Sequence, residues 1–515
     1  MKRLFFSIIL IYLPLLCLAE KATQSDNSER PNILFIAVDD LKPTLSNYGD
    51  AVAITPNFER LAARGVTFLN AHCQQAVCGP SRASVMTGLR PDQTRIWDLK
   101  TKIRDENPDV VTIPQCFKAH GYNAVGVGKI FDFRSVEGHR LDDAVSWSRP
   151  YVVFDKNPKS EFGLVNPDYV RWVRSKKKAK LESGDKTPLK KILGGSPPFE
   201  GSEDVADEAY DDGQIARSGV ALLKELAAEA EPFFLAVGFK KPHLPFVAPK
   251  QYWDLYEAVA FEPHSLRERP EGSPEYHHQP GWELRNGSYS GVPLLSEGGN
   301  LPDETAISLI HGYYACVSFI DAQLGKLLDA LEATGEADNT IIVLWSDHGY
   351  HLGDHGMWCK HTNYEQSTRV PLMVVDPRDP EYLEGVSASA SVELVDIFAT
   401  LCDLSEIQAP DGIEGTSLKP ILLKNTLEVK PASMSQFPRY FEGREIMGYS
   451  WRTKRYRYIE WEDTGFREGG THGAILEVEL YDYARDPNET RNLANDPNYA
   501  DVLLDMERLA RGRKH

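Results

Sequence analysis

Four stretches of the chain are apolar almost without interruption: Asn32–Val38, Asn123–Val127, Pro232–Phe239 and Thr340–Ser346. Runs of this kind lack the polar alternate positions of a half-exposed strand, so they predict strands covered on both faces. The segments between them change to helical spacing. Pro56–Arg64 reads as a short helix, with Thr55 as its N-cap and Gly65 just past its end. From Asp303 to Thr334, apolar residues fall at Ile307, Ile310, Tyr314, Val317, Leu324, Leu327 and Leu331, and the pattern stops at Gly335. Strands alternating with such helices predict an α/β fold built on a large doubly wound mixed sheet flanked by helices.

Two regions break this rhythm. Residues 150–205 carry a basic run, Arg171 to Lys180, which reads either as a solvated insertion or as a patch that steers polyanions. Residues 262–302, rich in Pro, Gly and His, read as a long loop, and such loops are often functional. Beyond residue 425 short alternating segments, Tyr449–Trp461 and Glu477–Tyr483, precede a terminal helix. They predict a smaller C-terminal antiparallel α+β domain over 426–515, after a main domain over 31–425.

The amino terminus is of another kind. Lys2 and Arg3 precede an apolar run from Leu4 to Leu18, with Ala19 at a cleavage point. This predicts a signal peptide over 1–19, a polar linker over 20–30 and export to the periplasm, the medium or, in an animal cell, the lysosome. No later stretch approaches the ~20 apolar residues of a membrane span.

The 515 residues hold 57 Lys+Arg against 75 Asp+Glu, a net charge of −18. That balance argues against a binder of nucleic acid or anionic membranes, which needs a basic face. An anionic substrate would have to be met by a local basic pocket. Seven cysteines are too few for a disulfide scaffold, and buried free thiols are the expected state of most.

Candidate chemistry lies just after the apolar runs. Asp39 and Asp40 follow the first, Lys129 the second, Lys240, Lys241 and His243 the third, and Asp347 and His348 the fourth. Ligands of open parallel sheets bind outside the carboxyl ends of the strands, so these residues can converge. Taken singly, an Asp pair there is commonly a turn or cap, and a lone Lys or His a surface group. The histidines 348, 351, 355 and 361 match no strong zinc spacing, and the carboxylates favour a hard cation. His351 and Asp354 read as loop architecture or as substrate contacts.

One segment raises these odds together: Cys78-Gly79-Pro80-Ser81-Arg82-Ala83-Ser84-Val85-Met86-Thr87-Gly88. Pro80 near a helix start places Cys78 at a positive helix end beside Arg82, a setting for anions. The string resembles the sulfatase signature C-x-P-S-R-x-x-x-x-T-G, whose Cys is converted after translation to formylglycine. Asn32–Asp40, Gly128-Lys129, Ser346-Asp347-His348-Gly349 and the tail ELYDYARDPNETRNLA are similar to further segments of that family, most closely in sulfatases acting on uronate 2-O-sulfates.

The resemblance implies one Ca²⁺ held by Asp39, Asp40, Asp347, His348 and the modified Cys78. It implies Arg82 steadying a formylglycine hydrate, Lys129 and Lys360 binding sulfate oxygens, and His243 protonating the leaving alcohol. It also implies a maturating enzyme as partner and a sulfated saccharide as substrate, without choosing among iduronate, glucuronate and other uronates. One position departs. Relatives place a sulfate-contacting His three residues after the strand-end Lys, where this chain has Asp132. Asp132 can act as the base that collapses the sulfated intermediate, His139 can take the place, or the register can shift. A phosphonate or phosphate ester hydrolase of the same superfamily, and a non-catalytic binder of sulfated glycans, are the alternatives to a sulfatase.

Overall fold

The structure is a computed structural model of the whole chain and describes residues 30–137, 142–151, 167–187, 205–286, 289 and 291–512. The predicted signal peptide and His139 lie outside the described residues.

The four apolar runs are strands β1 (Asn32–Asp39), β3 (Asn123–Gly128), β4 (Phe233–Pro242) and β5 (Thr340–Ser346). With β2 (Val66–His72), β9 (Leu372–Val375) and β10 (Val386–Glu393) they form one sheet in the order β10-β2-β9-β5-β1-β4-β3, and the short β8 (Arg369–Val370) pairs with β2. The sheet is mixed: β1 runs parallel to β4 and β5, and β4 to β3, while β9 runs antiparallel to β2 and β5.

Its strands are covered on both faces, as continuous apolar runs require. Leu34, Ile36 and Val38 point into a core shared with the helices Asp211–Leu226 and Asp303–Thr334. Ile33, Phe35 and Ala37 point into a second core shared with the helices Cys78–Thr87, Ile113–Ala119 and Asp396–Leu404. The period-two alternation of one strand therefore serves two cores.

The helix Asp303–Thr334 ends as expected at Gly335, whose φ of 81° is the left-handed C-cap. The first helix departs from expectation. It spans Pro56–Ala62, and Thr55 does not cap it. The Thr55 hydroxyl accepts instead from the Ser46 backbone N–H at 3.0 Å. Asp321, buried in the long helix, accepts from the N–H groups of Asn57 at 2.8 Å and Phe58 at 2.9 Å. A carboxylate from a distant helix offers those donors a stronger, charge-assisted acceptor than the local hydroxyl. Asp321→Ala is therefore expected to cost about 1–2 kcal/mol of stability, read as a lower urea midpoint, whereas Thr55→Ala changes it less.

Past residue 425, four strands, β11 (Ser433–Phe441), β12 (Arg444–Arg452), β13 (Tyr456–Asp463) and β14 (Ala474–Asp482), form a separate antiparallel sheet in sequence order. The expected single segment Tyr449–Trp461 is thus two strands joined at a turn. The terminal helix Ala500–Arg511 packs Met506 and Ala510 against Tyr449, Trp451 and Tyr458. The small sheet props the main body. Gln436 N–H donates to the Gln74 carbonyl at 2.7 Å, and Ser435 Oγ to that of Cys73 at 2.6 Å.

The basic run lies in an exposed helix, Pro167–Ser183. Six cysteines, Cys73, Cys78, Cys116, Cys316, Cys359 and Cys402, are free and buried among the described residues. No described helix is long and apolar enough to cross a membrane.

Candidate active site

Because β3, β4, β1 and β5 are parallel neighbours, their carboxyl ends line up along one edge, and each strand delivers its next residues there. β1 delivers Asp39 and Asp40, with Asp40 at φ 62°. β5 delivers Asp347 and His348. β3 ends in Gly128 at φ 87°, where a Cβ would stand 2.1 Å from the Gly238 carbonyl oxygen. Only glycine permits that approach, and it lets the Lys129 N–H donate to the same oxygen at 2.8 Å. β4 delivers His243. A fifth element, the helix Cys78–Thr87 after β2, brings Cys78 as its first residue. Lys360 comes directly after a two-strand hairpin, β6 (His351–Leu352) and β7 (Trp358–Cys359).

Cys78 Sγ lies 3.5 Å from Asp39 Oδ1 and 3.3 Å from His348 Nε2. Arg82, one helical turn on, is completely buried. Its Nε donates to Asp347 Oδ2 at 2.8 Å, one Nη to Asp39 Oδ1 at 3.2 Å, and the other to the carbonyls of Lys129 and Ile130 at 2.6 and 2.9 Å. The guanidinium thereby joins three strand ends, with its carbon 5.5 Å from the ring centre of Trp345. Lys129 Nζ donates to Asp39 Oδ2 at 2.6 Å, and Lys360 Nζ to Asp40 at 2.9 and 3.0 Å.

Burial would raise the Asp39 carboxyl, but Lys129 and Arg82 more than reverse this and hold it well below the usual range. Asp347 is pushed up by burial despite Arg82. Burial, reinforced by the Asp39 charge, also pushes up the Cys78 thiol.

His348 donates from Nδ1 to the Gly349 carbonyl at 3.0 Å, which fixes Nε2 as the lone-pair atom facing the cluster. Single ligand atoms of Asp39, Cys78, Asp347 and His348 lie within 4.8 Å of one another, as do those of Asp39, Asp40, Cys78 and His243. Carboxylates this crowded, with an oriented imidazole, fit a cation that prefers oxygen ligands. Two other histidines of the run, His351 and His355, turn elsewhere. His351 bonds Asp354 and, at 2.8 Å, Thr362, so that pair braces its own loop. His355 bonds the carbonyls of Glu268 and Asn488.

His243 is fixed by its Nδ1–H, which donates to the Leu244 carbonyl at 2.8 Å, and its Nε2 lies 3.3 Å from Glu283 Oε1. Glu283 Oε2 is 2.9 Å from Lys360 Nζ, so one carboxylate bridges the two cationic candidates. Sequence reasoning missed Glu283. Its only signal was its place in the loop 262–302, which has no periodicity. Asp132, also at this edge, pairs with Arg134.

Beside the cluster opens a cavity of about 230 Å³, whose lining includes Asp39, Lys129, His243 and Glu283 together with Phe131 and Tyr151. Buried ammonium and guanidinium groups beside a residue at a helix start, with an imidazole close by, are donors of the kind that stabilise developing charge in ester cleavage at a tetrahedral centre.

The sulfatase family profile matches residues 31–407, and one described as N-sulphoglucosamine sulphohydrolase, C-terminal, matches residues 353–514. Iduronate 2-sulfatase of Mus musculus is 32% identical, over 98% of this chain and 97% of its own. Among solved structures, one in complex with its substrate D-glucosamine-2-N,6-O-disulfate superposes with a TM-score of 0.70 at 22% identity, covering 94% of this chain and 97% of that one. The phosphonate monoester hydrolase of Agrobacterium radiobacter superposes at 0.69 and 23% identity, over 94% and 96%. Strand-end site, family match and near full-length relative agree, and the chain belongs to the sulfatase family of sulfuric ester hydrolases.

Proposed function

We propose that this chain is an exported sulfatase that removes sulfate from a uronate 2-O-sulfate, using a formylglycine made from Cys78 and a Ca²⁺ held by Asp39, Asp40, Asp347 and His348. The observation that carries the reading is the placement of Cys78 at the first position of a buried helix, against Asp39 and His348 and one turn from Arg82. The 32% identity to an iduronate 2-sulfatase along nearly both chains supports the substrate class. A maturating enzyme is the implied partner.

Converted to the aldehyde and hydrated by one water, residue 78 would offer a geminal diol, whose first hydroxyl would displace the sugar alcohol from sulfur and whose second, on losing its proton, would re-form the aldehyde as sulfate leaves. The cation supplies charge to stabilise oxygen anions at the reacting centre. The remaining work falls to the chain's own residues. Arg82 spans three strand ends and orients residue 78 without moving itself. Lys129 and Lys360, each a three-donor ammonium anchored on an aspartate, bind the sulfate oxygens and the charge that develops on them. His243 gives its proton to the departing sugar oxygen.

The acid role has a pH signature. Burial alone would lower the His243 pKa, but the charge of Asp40 and the hydrogen bond to Glu283 raise it above the ordinary imidazole value. A raised pKa keeps the proton on to higher pH than an ordinary imidazole would, so the alkaline limb of activity should lie above the ordinary imidazole value. Glu283→Gln removes one of the raising groups and should move the alkaline limb of the kcat profile to lower pH. An unchanged limb would take His243 out of the acid role.

Release of sulfate from 2-O-sulfated uronates, compared with release from nitrophenyl sulfate and hydrolysis of nitrophenyl phosphonate, tests the reading directly. Preference for the phosphonate would favour the ester hydrolase alternative, and no turnover after maturation would favour a glycan binder.

A further inference from the structure

Asp132, where the family resemblance implies a histidine, has partners that give the position a meaning of its own. Its buried carboxylate takes Arg134 in a two-point grip, Nε to Oδ1 at 2.8 Å and Nη2 to Oδ2 at 2.7 Å, and accepts the Arg134 backbone N–H at 3.0 Å. Lys129 Nζ is a further 3.9 Å neighbour. Burial would raise the Asp132 carboxyl, yet Arg134 and Lys129 bring it down to about 2, so it stays ionised and fully engaged at any working pH. A carboxylate so occupied is a poor proton acceptor, but it is an effective clamp. A fork-to-fork pair fixes the plane of a guanidinium, and with Nε and Nη2 committed, Nη1 remains on the other side of the fork for a second anion.

Arg134 lines the same cavity as Lys129 and His243. Depth separates the cations. The side chains of Lys129 and Lys360 are 13% and 2% exposed, whereas that of Arg134 is 38% exposed. Lys129 and Lys360 are thus the more buried cations, and Arg134 is the one nearer solvent. Next to it Phe133 is 41% exposed, an apolar surface of the kind a sugar ring covers, with the Arg134 guanidinium carbon 5.3 Å from its ring centre. A sugar whose sulfate meets the more buried cations would carry its ring and remaining substituents toward the more exposed one. A neutral ring would offer the clamped guanidinium only hydroxyl oxygens, weaker acceptors than a carboxylate.

We propose that Arg134 is a specificity-determining residue that binds the carboxylate of the substrate's uronate ring, and that Asp132 is the positioning residue that holds it. The assignment rests on the reading of the substrate as a sulfated uronate. It turns the departure at position 132 into an exchange, in which an Asp–Arg pair reads a second anionic group.

The test uses the matured full-length enzyme and two probes, a uronate 2-O-sulfate and the same sugar with its carboxylate reduced to the alcohol. Wild-type enzyme should prefer the uronate. Arg134→Met should shrink that preference in kcat/KM by about 10- to 100-fold, the worth of a charge-assisted hydrogen bond, and mainly through KM. Arg134→Lys should restore part of it, and Asp132→Asn should raise KM for the uronate while the melting temperature shows the variant folded. A wild-type preference that survives Arg134→Met, or equal losses on both probes, would overturn the Arg134 assignment alone. A wild-type enzyme that cleaves sulfate esters but turns over both probes equally would remove the uronate reading, and the carboxylate contact with it.

Discussion

Cys78→Ala is expected to lower kcat/KM for any sulfate ester by at least about 10⁴-fold, about 5 kcal/mol of transition-state stabilisation. Alanine fills the first position of the helix without difficulty, so the fold should survive, and an unchanged melting temperature would show that the loss is chemical. The size of the effect comes from the proposed role. A side chain that forms the covalent bond to sulfur cannot be replaced by the surrounding donors, which stabilise charge but supply no nucleophile. Arg82, Lys129 and Lys360 would remain in place, because their partners are Asp347, Asp39, Asp40 and Glu283 rather than Cys78. Sulfate should therefore still bind to the variant as a product inhibitor binds the wild type. A Cys78→Ala enzyme within tenfold of wild type would mean that water or another residue attacks sulfur.

The second large effect concerns the cation. Asp347→Asn is expected to abolish stoichiometric metal and to reduce kcat/KM by at least about 10³-fold, since a metal at a reacting oxyanion supplies several kcal/mol. Asp347 also holds Arg82 Nε, so the activity loss combines two causes, and metal content measured on the purified variant isolates the first. Stability gives an independent reading. Three carboxylates crowd this buried edge, and a bound divalent ion relieves their repulsion only in the folded state. Calcium at 100 times its Kd should stabilise the wild type by about 2.7 kcal/mol, seen as a higher Tm that EGTA reverses. The Asp347→Asn protein should show no such shift. Magnesium or zinc raising the Tm while calcium does not would reassign the ion.

Much of this site is legible in the sequence, for a physical reason. Apolar runs with no polar alternation announce strands buried on both sides, and in parallel strands the residue after the run has one destination. Asp39, Lys129, His243 and Asp347 can be picked out on that ground although they are spread along most of the chain. Cys78 and Arg82 are legible because a helix start and one helical turn are local. The illegible part depends on non-local partners. Thr55 has the right chemistry for a cap, but Asp321, more than 260 residues away, outcompetes it. Glu283 comes from an aperiodic loop, and its bridge between His243 and Lys360 exists only after three separate elements meet. Asp132 can be seen as a departure, while its grip on Arg134 depends on a turn of the backbone that no spacing rule announces.

The nucleophile itself is best tested by pairing peptide mass spectrometry at residue 78 with sulfate release, on enzyme produced with graded amounts of a maturating enzyme. Specific activity is expected to rise in proportion to the fraction of chains in which residue 78 has lost H₂S and gained an oxygen, and to extrapolate to zero where only cysteine is found. Sulfate release from protein whose residue 78 is wholly unmodified cysteine would contradict a formylglycine nucleophile.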